Sequence, residues 1–138
     1  MNNKIEAYIL SNKVFSLATS VDNIPYCANC FYACDEVNKI LIFLSDSETR
    51  HIKEALINNR VGGSIQNGVT EVEKLQGIQF IGEFIKPSEE LAKDFYAIYF
   101  KRFPFAKAKP STIWGIQINW IKMTDNTLGF GKKFIWKR

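Results

Sequence analysis

The sequence has no apolar stretch approaching the roughly 20 residues that cross a bilayer, and Glu6 interrupts the N-terminal segment where a secretory signal needs an unbroken apolar run. A cytoplasmic protein with no membrane partner is therefore expected. No internal repeat, low-complexity tract, or Gly/Ser- or Pro-rich linker divides the 138 residues, so a single domain over 1–138 is expected. Cysteine is scarce, and the three present read as reduced thiols rather than a disulfide framework. The single histidine, His51, removes two-histidine metal sites and leaves any Cys–His nucleophile dependent on one residue. Eighteen Lys+Arg against 14 Asp+Glu leave a net charge of +4, too small an excess to indicate nucleic acid as a partner.

What is present is apolar and aromatic: 46% hydrophobic residues, with 11 Phe, 5 Tyr and 3 Trp, fill a core and exclude overall disorder. Ile5, Ile9 and Leu10 at helical spacing predict a short N-terminal helix, followed by a strand over Val14–Thr19. Asp22 and Asn23 supply turn chemistry, the apolar run Tyr26–Cys34 reads as a second strand, and Ile40–Leu44 reads as a third. A capping-rich stretch, Ser45 to Glu48, precedes Ile52, Ala55 and Leu56 and predicts a helix ending near Asn58. Val61–Ile65 and Ile78–Ile85 are strands, and Pro87 opens a helix with Leu91, Phe95 and Ile98 on one face, limited by Pro104. Ile113–Met123 is the last strand. Six strands without regular βαβ alternation favour a mainly β, antiparallel closed or split barrel with two or three peripheral helices.

Four clusters could carry chemistry. Cys27, Cys30 and Cys34 have a zinc-like spacing, yet on a strand Cys27 and Cys30 point to opposite faces, so they read as thiols of a core strand. Thr49, Arg50, His51 and Lys53 open a helix, where free N–H groups, a hydroxyl and a guanidinium suit a phosphate; an ordinary solvated helix face is the alternative. Thr124 to Phe134 holds Gly129, Gly131, Lys132 and Lys133. It is no Walker A loop, since Asn126 and Lys133 stand where Gly and Ser/Thr belong, and Lys132 and Lys133 also break the RNA-recognition pattern. A flexible anion-binding turn and a plain hairpin followed by a basic strand both remain. Gln79 lies on a strand between Gly77 and Gly82, where glycine marks a bulge or a close backbone approach; a solvent-facing amide is the alternative.

Together these segments resemble the YhbP-type branch of the pyridoxamine-5′-phosphate-oxidase-like proteins. The resemblance rests on Cys-Ala-Asn-Cys-Phe-Tyr (27–32), Thr-Arg-His (49–51), Gly-Ile-Gln-Phe-Ile-Gly (77–82), Arg-Phe-Pro (102–104) and Thr-Asp-Asn-Thr-Leu-Gly-Phe-Gly-Lys-Lys (124–133). It implies a split β-barrel that forms a homodimer and holds FMN between subunits, acting as an oxidoreductase on a small-molecule substrate. Thr49, Arg50 and His51 match the family's phosphate-binding Ser-Arg-Lys element, with His51 in place of Lys. Leu44 and Ser45 match positions that contact the flavin, and Asn29, Cys30 and Phe31 fall on the strand beside its ring. Gln79 matches a family glutamine, and Lys132 or Lys133 a late basic residue near the cofactor. The family's Arg-x-His signature for pyridoxamine phosphate is missing, so that oxidation is not implied. A non-catalytic flavin- or haem-binding protein, and a nucleic-acid module built on Lys132, Lys133, Lys137 and Arg138, are the competing readings. Trp114 and Phe105 read either as pocket walls or as core and dimer contacts.

Overall fold

Asp22 and Asn23 both adopt left-handed backbone, with φ of 54° and 63°, which is what a two-residue hairpin matched to the twist of its strands requires. The computed structural model describes residues 1–138. That turn joins β1 (Val14–Val21) to β2 (Ile24–Phe31), paired from Val21 with Ile24 to Val14 with Phe31. The remaining elements are α1 (Asn3–Ser11), β3 (Ala33–Asp35), β4 (Ile40–Leu44), α2 (Arg50–Ile57), β5 (Arg60–Gln66), β6 (Gln76–Ile85), α3 (Glu89–Arg102), β7 (Ile113–Asp125) and β8 (Lys133–Lys137). The sheet runs β2-β1-β5-β6-β7-β4-β3, and β8 pairs with the second half of β7. Every pairing is antiparallel. The two ends of that order, β2 and β3, are consecutive in the chain, so the sheet curls into a half-barrel.

Eight strands therefore replace the six expected. The apolar run 26–34 is broken at Tyr32, whose ring is fully buried and whose N–H donates to Lys13 O at 2.9 Å. Beyond it the chain leaves β1 and pairs with β4 instead. The segment after Gly131, left open between a turn and a basic strand, is the strand β8. In α1, Ile5 and Ile9 are buried as expected while Leu10 is 41% exposed, and in α3 Phe95 and Tyr99 are buried while Leu91 and Ile98 are half-buried against the same cluster.

Phe15 at the centre of the barrel meets Tyr32, Phe43 and Phe80 edge-on or tilted, at centroid distances of 5.8, 5.4 and 6.1 Å. β4 is apolar at every position because both its faces are covered. Leu41 and Phe43 join the barrel core, while Ile40 and Ile42 pack under Phe95, Tyr99 and Phe103 of α3 and its C-cap. Gly82 marks the expected bulge: the register shifts between Ile81 and Gly82, and a Cβ there would stand 2.4 Å from Gln117 O. Neither α2 nor α3 covers the outward face of β2, β1, β5 and β6. Across it runs one row of registered residues: Asn29, Ser16, Ser64, Gln79 and Lys122.

Candidate functional site

The end of β4 is fixed from two sides, by Ser45 N–H donating to Thr112 O at 2.9 Å and by Trp114 Nε1–H donating to Ser45 O at 2.8 Å. Trp114 is otherwise core, stacked 5.3 Å from Phe84, which settles its role as an anchor of this strand end rather than an open pocket wall. Phe105, by contrast, is 78% exposed and packs edge-on against Phe103. Leu44 and Ser45 lead into the start of α2, where Ser45 Oγ lies 2.7 Å from His51 Nε2 and Thr49 Oγ1 lies 3.4 Å from the same nitrogen. Thr49 is the N-cap residue, but its hydroxyl donates to Asp46 O and makes no capping bond, so the first-turn N–H groups of α2 are free of a side-chain acceptor.

Arg50 projects from this helix start and is held on two sides. Its Nε–H donates to Glu54 Oε2 at 2.9 Å, and its guanidinium carbon stands 4.2 Å from the centre of the Tyr26 ring. Lys53 pairs with Glu48 at 3.1 Å across open solvent, an arrangement worth little and easily exchanged. His51 is half-buried, and burial pushes its pKa below the ordinary value of 6.5. The imidazole is therefore neutral at neutral pH and meets Ser45 and Thr49 through its ring nitrogen rather than as a charge. A folded pKa below the unfolded one means that the unfolded chain binds the proton first. The stability contributed by neutral His51 is complete above about pH 6.5 and is lost as pH falls through the folded value. Urea unfolding between pH 7.5 and 5 should show this decline, and His51→Gln, which keeps hydrogen-bonding groups but does not titrate, should flatten it.

β2 borders this cluster with a free edge. Because Tyr32 N–H bonds Lys13 O and antiparallel bonding alternates, Ala28 and Cys30 turn their backbone groups towards β1, while Cys27, Asn29 and Phe31 turn theirs away from it. β2 ends the strand order and contains no charged residue. The side chain of Asn29 accepts from Ser16 Oγ at 2.8 Å on the outer face, so it is the Asn29 backbone that the edge presents. Cys30 is buried, with its thiol pushed up to about 11, and is inert at neutral pH. Cys27 is exposed on the opposite face, as period-2 alternation required. Phe31 is 59% exposed and meets Phe103 edge-on.

Ser45, Thr49, Arg50 and His51 thus gather where the end of β4 at Leu44 leads into α2, and Arg50 reaches Tyr26 of β2, the strand that further along carries Asn29, Cys30 and Phe31. Gln79 does not join them. Ile78 and Phe80 are buried, so Gln79 points outwards, where it lines a groove of about 300 Å³ with Ser64, Gln66, Gly77 and Thr124. Arg50 and Glu54 instead lie on the inward side, where Thr19 continues the buried face of β1. Lys133 is paired with Thr124 next to that outer groove, and Lys132 sits at the hairpin end with its ammonium 5.7 Å from the Phe134 ring. Tyr26, Thr19 and Glu54 belong to the Arg50 environment without having been singled out in the sequence. The Arg50–Glu54 spacing of four on a helix was a legible signal, while the contact with Tyr26 had none.

No helix is long and apolar enough to cross a membrane. No family model matches the sequence. A UPF0306 protein of Photorhabdus laumondii is 39% identical over 134 residues, covering 97% of this chain and 94% of its own length. The UPF0306 protein YhbP of Salmonella paratyphi A is 38% identical over 113 residues, covering 82% of this chain and 77% of its own. Among solved structures, a haem-binding protein from Mycobacterium smegmatis superposes with a TM-score of 0.78 at 13% identity, over 94% of this chain and 55% of that one. An FAD-binding protein from Mesorhizobium loti gives 0.73 at 16% identity, over 89% and 94%. A provisionally assigned pyridoxamine 5′-phosphate oxidase from Listeria innocua gives 0.68 at 15%, over 88% and 95%. Likeness at such low identity establishes the shared split-barrel architecture, whereas the sequence relatives cover more than four fifths of the chain at more than a third identity: the protein belongs to the UPF0306 family.

Proposed function

We propose that this chain is an FMN-binding flavoprotein, acting as a homodimeric oxidoreductase on a small molecule other than pyridoxamine phosphate. The observation that carries the reading is Arg50: its Nε edge and one face are occupied, its terminal amines are open, and the uncapped start of α2 with the Ser45, Thr49 and His51 side chains lies beside it. That donor set suits a phosphoryl group. The alternating N–H and C=O groups along the free edge of β2 suit the alternating donors and acceptors at the rim of a flavin ring. The residues present therefore fit FMN: Thr49, Arg50 and His51 hold the phosphate, while Leu44, Ser45 and the free-edge backbone at Asn29 and Phe31, on either side of Cys30, flank the ring. When bound, FMN supplies the electron transfer, and the chain supplies position and electrostatics. Gln79, Lys132 and Lys133 lie elsewhere in the same chain, and a second copy placed against the helix-free sheet face brings such residues to a shared groove.

Two of the structural neighbours are haem- and FAD-binding proteins by description, which supports a flavin or haem store without turnover as the second reading. For haem, the only histidine is half-buried and engaged by Ser45, so an axial ligand is hard to supply. Absorbance and mass spectrometry of the ligand released from purified protein, together with light scattering, test both readings. A yellow dimer releasing one FMN per chain is expected. A colourless monomer that ignores added FMN rejects the proposal, and a sharp Soret band at one equivalent of haem turns it towards the second reading.

A further inference from the structure

We infer that Glu54 is a positioning residue, which together with Tyr26 holds the Arg50 guanidinium so that only its terminal amines meet the ligand; the inference rests on Arg50 being the phosphate-binding residue. A carboxylate beside an anion site is at first sight a liability, since it repels a phosphate. Its contacts explain its presence. Glu54 Oε2 accepts from Arg50 Nε at 2.9 Å, and Glu54 Oε1 accepts from Thr19 Oγ1 at 2.7 Å. Thr19 is itself 3% exposed on the buried face of β1, so the carboxylate is tethered to the barrel wall and does not merely form a helix-surface pair. The Glu54 side chain is 13% exposed against 55% for Arg50. The Arg50 guanidinium, and then the Thr19 hydroxyl, hold its carboxyl below the usual range, so it stays charged. With the Nε edge taken and the Tyr26 ring 4.2 Å below the plane, the guanidinium has few orientations left before any ligand arrives.

A fixed donor and a repelling charge predict opposite outcomes, which makes the idea testable. FMN affinity is read by quenching of flavin fluorescence for Glu54→Ala and Glu54→Gln, each in the wild-type and the Arg50→Ala backgrounds. Glu54→Ala should weaken FMN roughly five- to thirtyfold in the wild-type background, should cause no weakening when Arg50 is already absent, and should be largely rescued by Glu54→Gln, whose amide oxygen still accepts from Nε. Unchanged or tighter binding by Glu54→Ala in the wild type, or an equal loss in both backgrounds, overturns the inference. A ligand-free measurement separates its failure from that of the flavin reading. The Arg50 Nε–H resonance of the 15N-labelled protein should be sharp, should broaden in Glu54→Ala and should persist in Glu54→Gln. A resonance indifferent to Glu54 overturns the inference whether or not FMN binds, whereas failure of the wild type to bind FMN rejects the proposed function alone.

Discussion

Replacing Arg50 by alanine should weaken FMN binding roughly ten- to a hundredfold while leaving thermal stability almost unchanged. A charge-assisted hydrogen bond contributes about 1.5 to 3 kcal/mol, and Arg50 is the cation at the start of α2 whose terminal donors are not already committed. Its side chain is more than half exposed and belongs to no core cluster, so the folded state loses only the pair with Glu54, whose carboxylate keeps its bond from Thr19, and part of the contact with Tyr26. Arg50→Lys should fall between the two, because a lysine keeps the charge and loses the planar fork. Fluorescence titration of FMN at fixed ionic strength measures all three proteins. Wild-type affinity in Arg50→Ala would remove the phosphate role given to this residue.

The opposite pattern is expected for Phe15→Ala. The ring is fully buried among Tyr32, Phe43 and Phe80, which come from three different strands or strand junctions. Removing it forfeits both the transfer energy of the ring and the contacts lining the vacated space, a loss of about 3 to 5 kcal/mol. For a chain of this size that corresponds to a fall in melting temperature of roughly 10 to 20 °C. Urea denaturation should give the same ranking, with a lowered midpoint and an unaltered slope. A loss below about 1 kcal/mol would mean that the barrel closes over the gap, contrary to close packing around this ring.

Much of the barrel was legible because alternation and helical spacing are strong local signals. β6 is the clearest case: Ile78, Phe80 and Phe84 face inwards, Gln79, Ile81 and Glu83 face outwards, and Gly82 marks the bulge. The break at Tyr32 was not legible, because no turn residue flanks it within 31–34 and the change of partner from β1 to β4 is decided by a buried ring and by tertiary contacts. β8 was obscured by its composition, since Lys133, Ile135 and Lys137 face out and only Phe134 and Trp136 pack inwards. At the site, Thr49, Arg50 and His51 were visible as a local motif at a helix start. The setting of Arg50 was not, because Tyr26, which meets it, and Thr19, which holds its partner Glu54, come from the distant β1–β2 hairpin. The family resemblance points Gln79 to the same site, whereas its outward direction follows from the pleat alone.

The charge-free border of β2 bears on how this protein behaves when nothing lies against it. Natural sheets guard such borders with lysine, proline or a covering helix, and here only Pro25, next to the hairpin turn, serves that purpose. Newly made chains therefore expose a template onto which other extended segments can add, and whatever fills that border also serves as a gatekeeper against polymerisation.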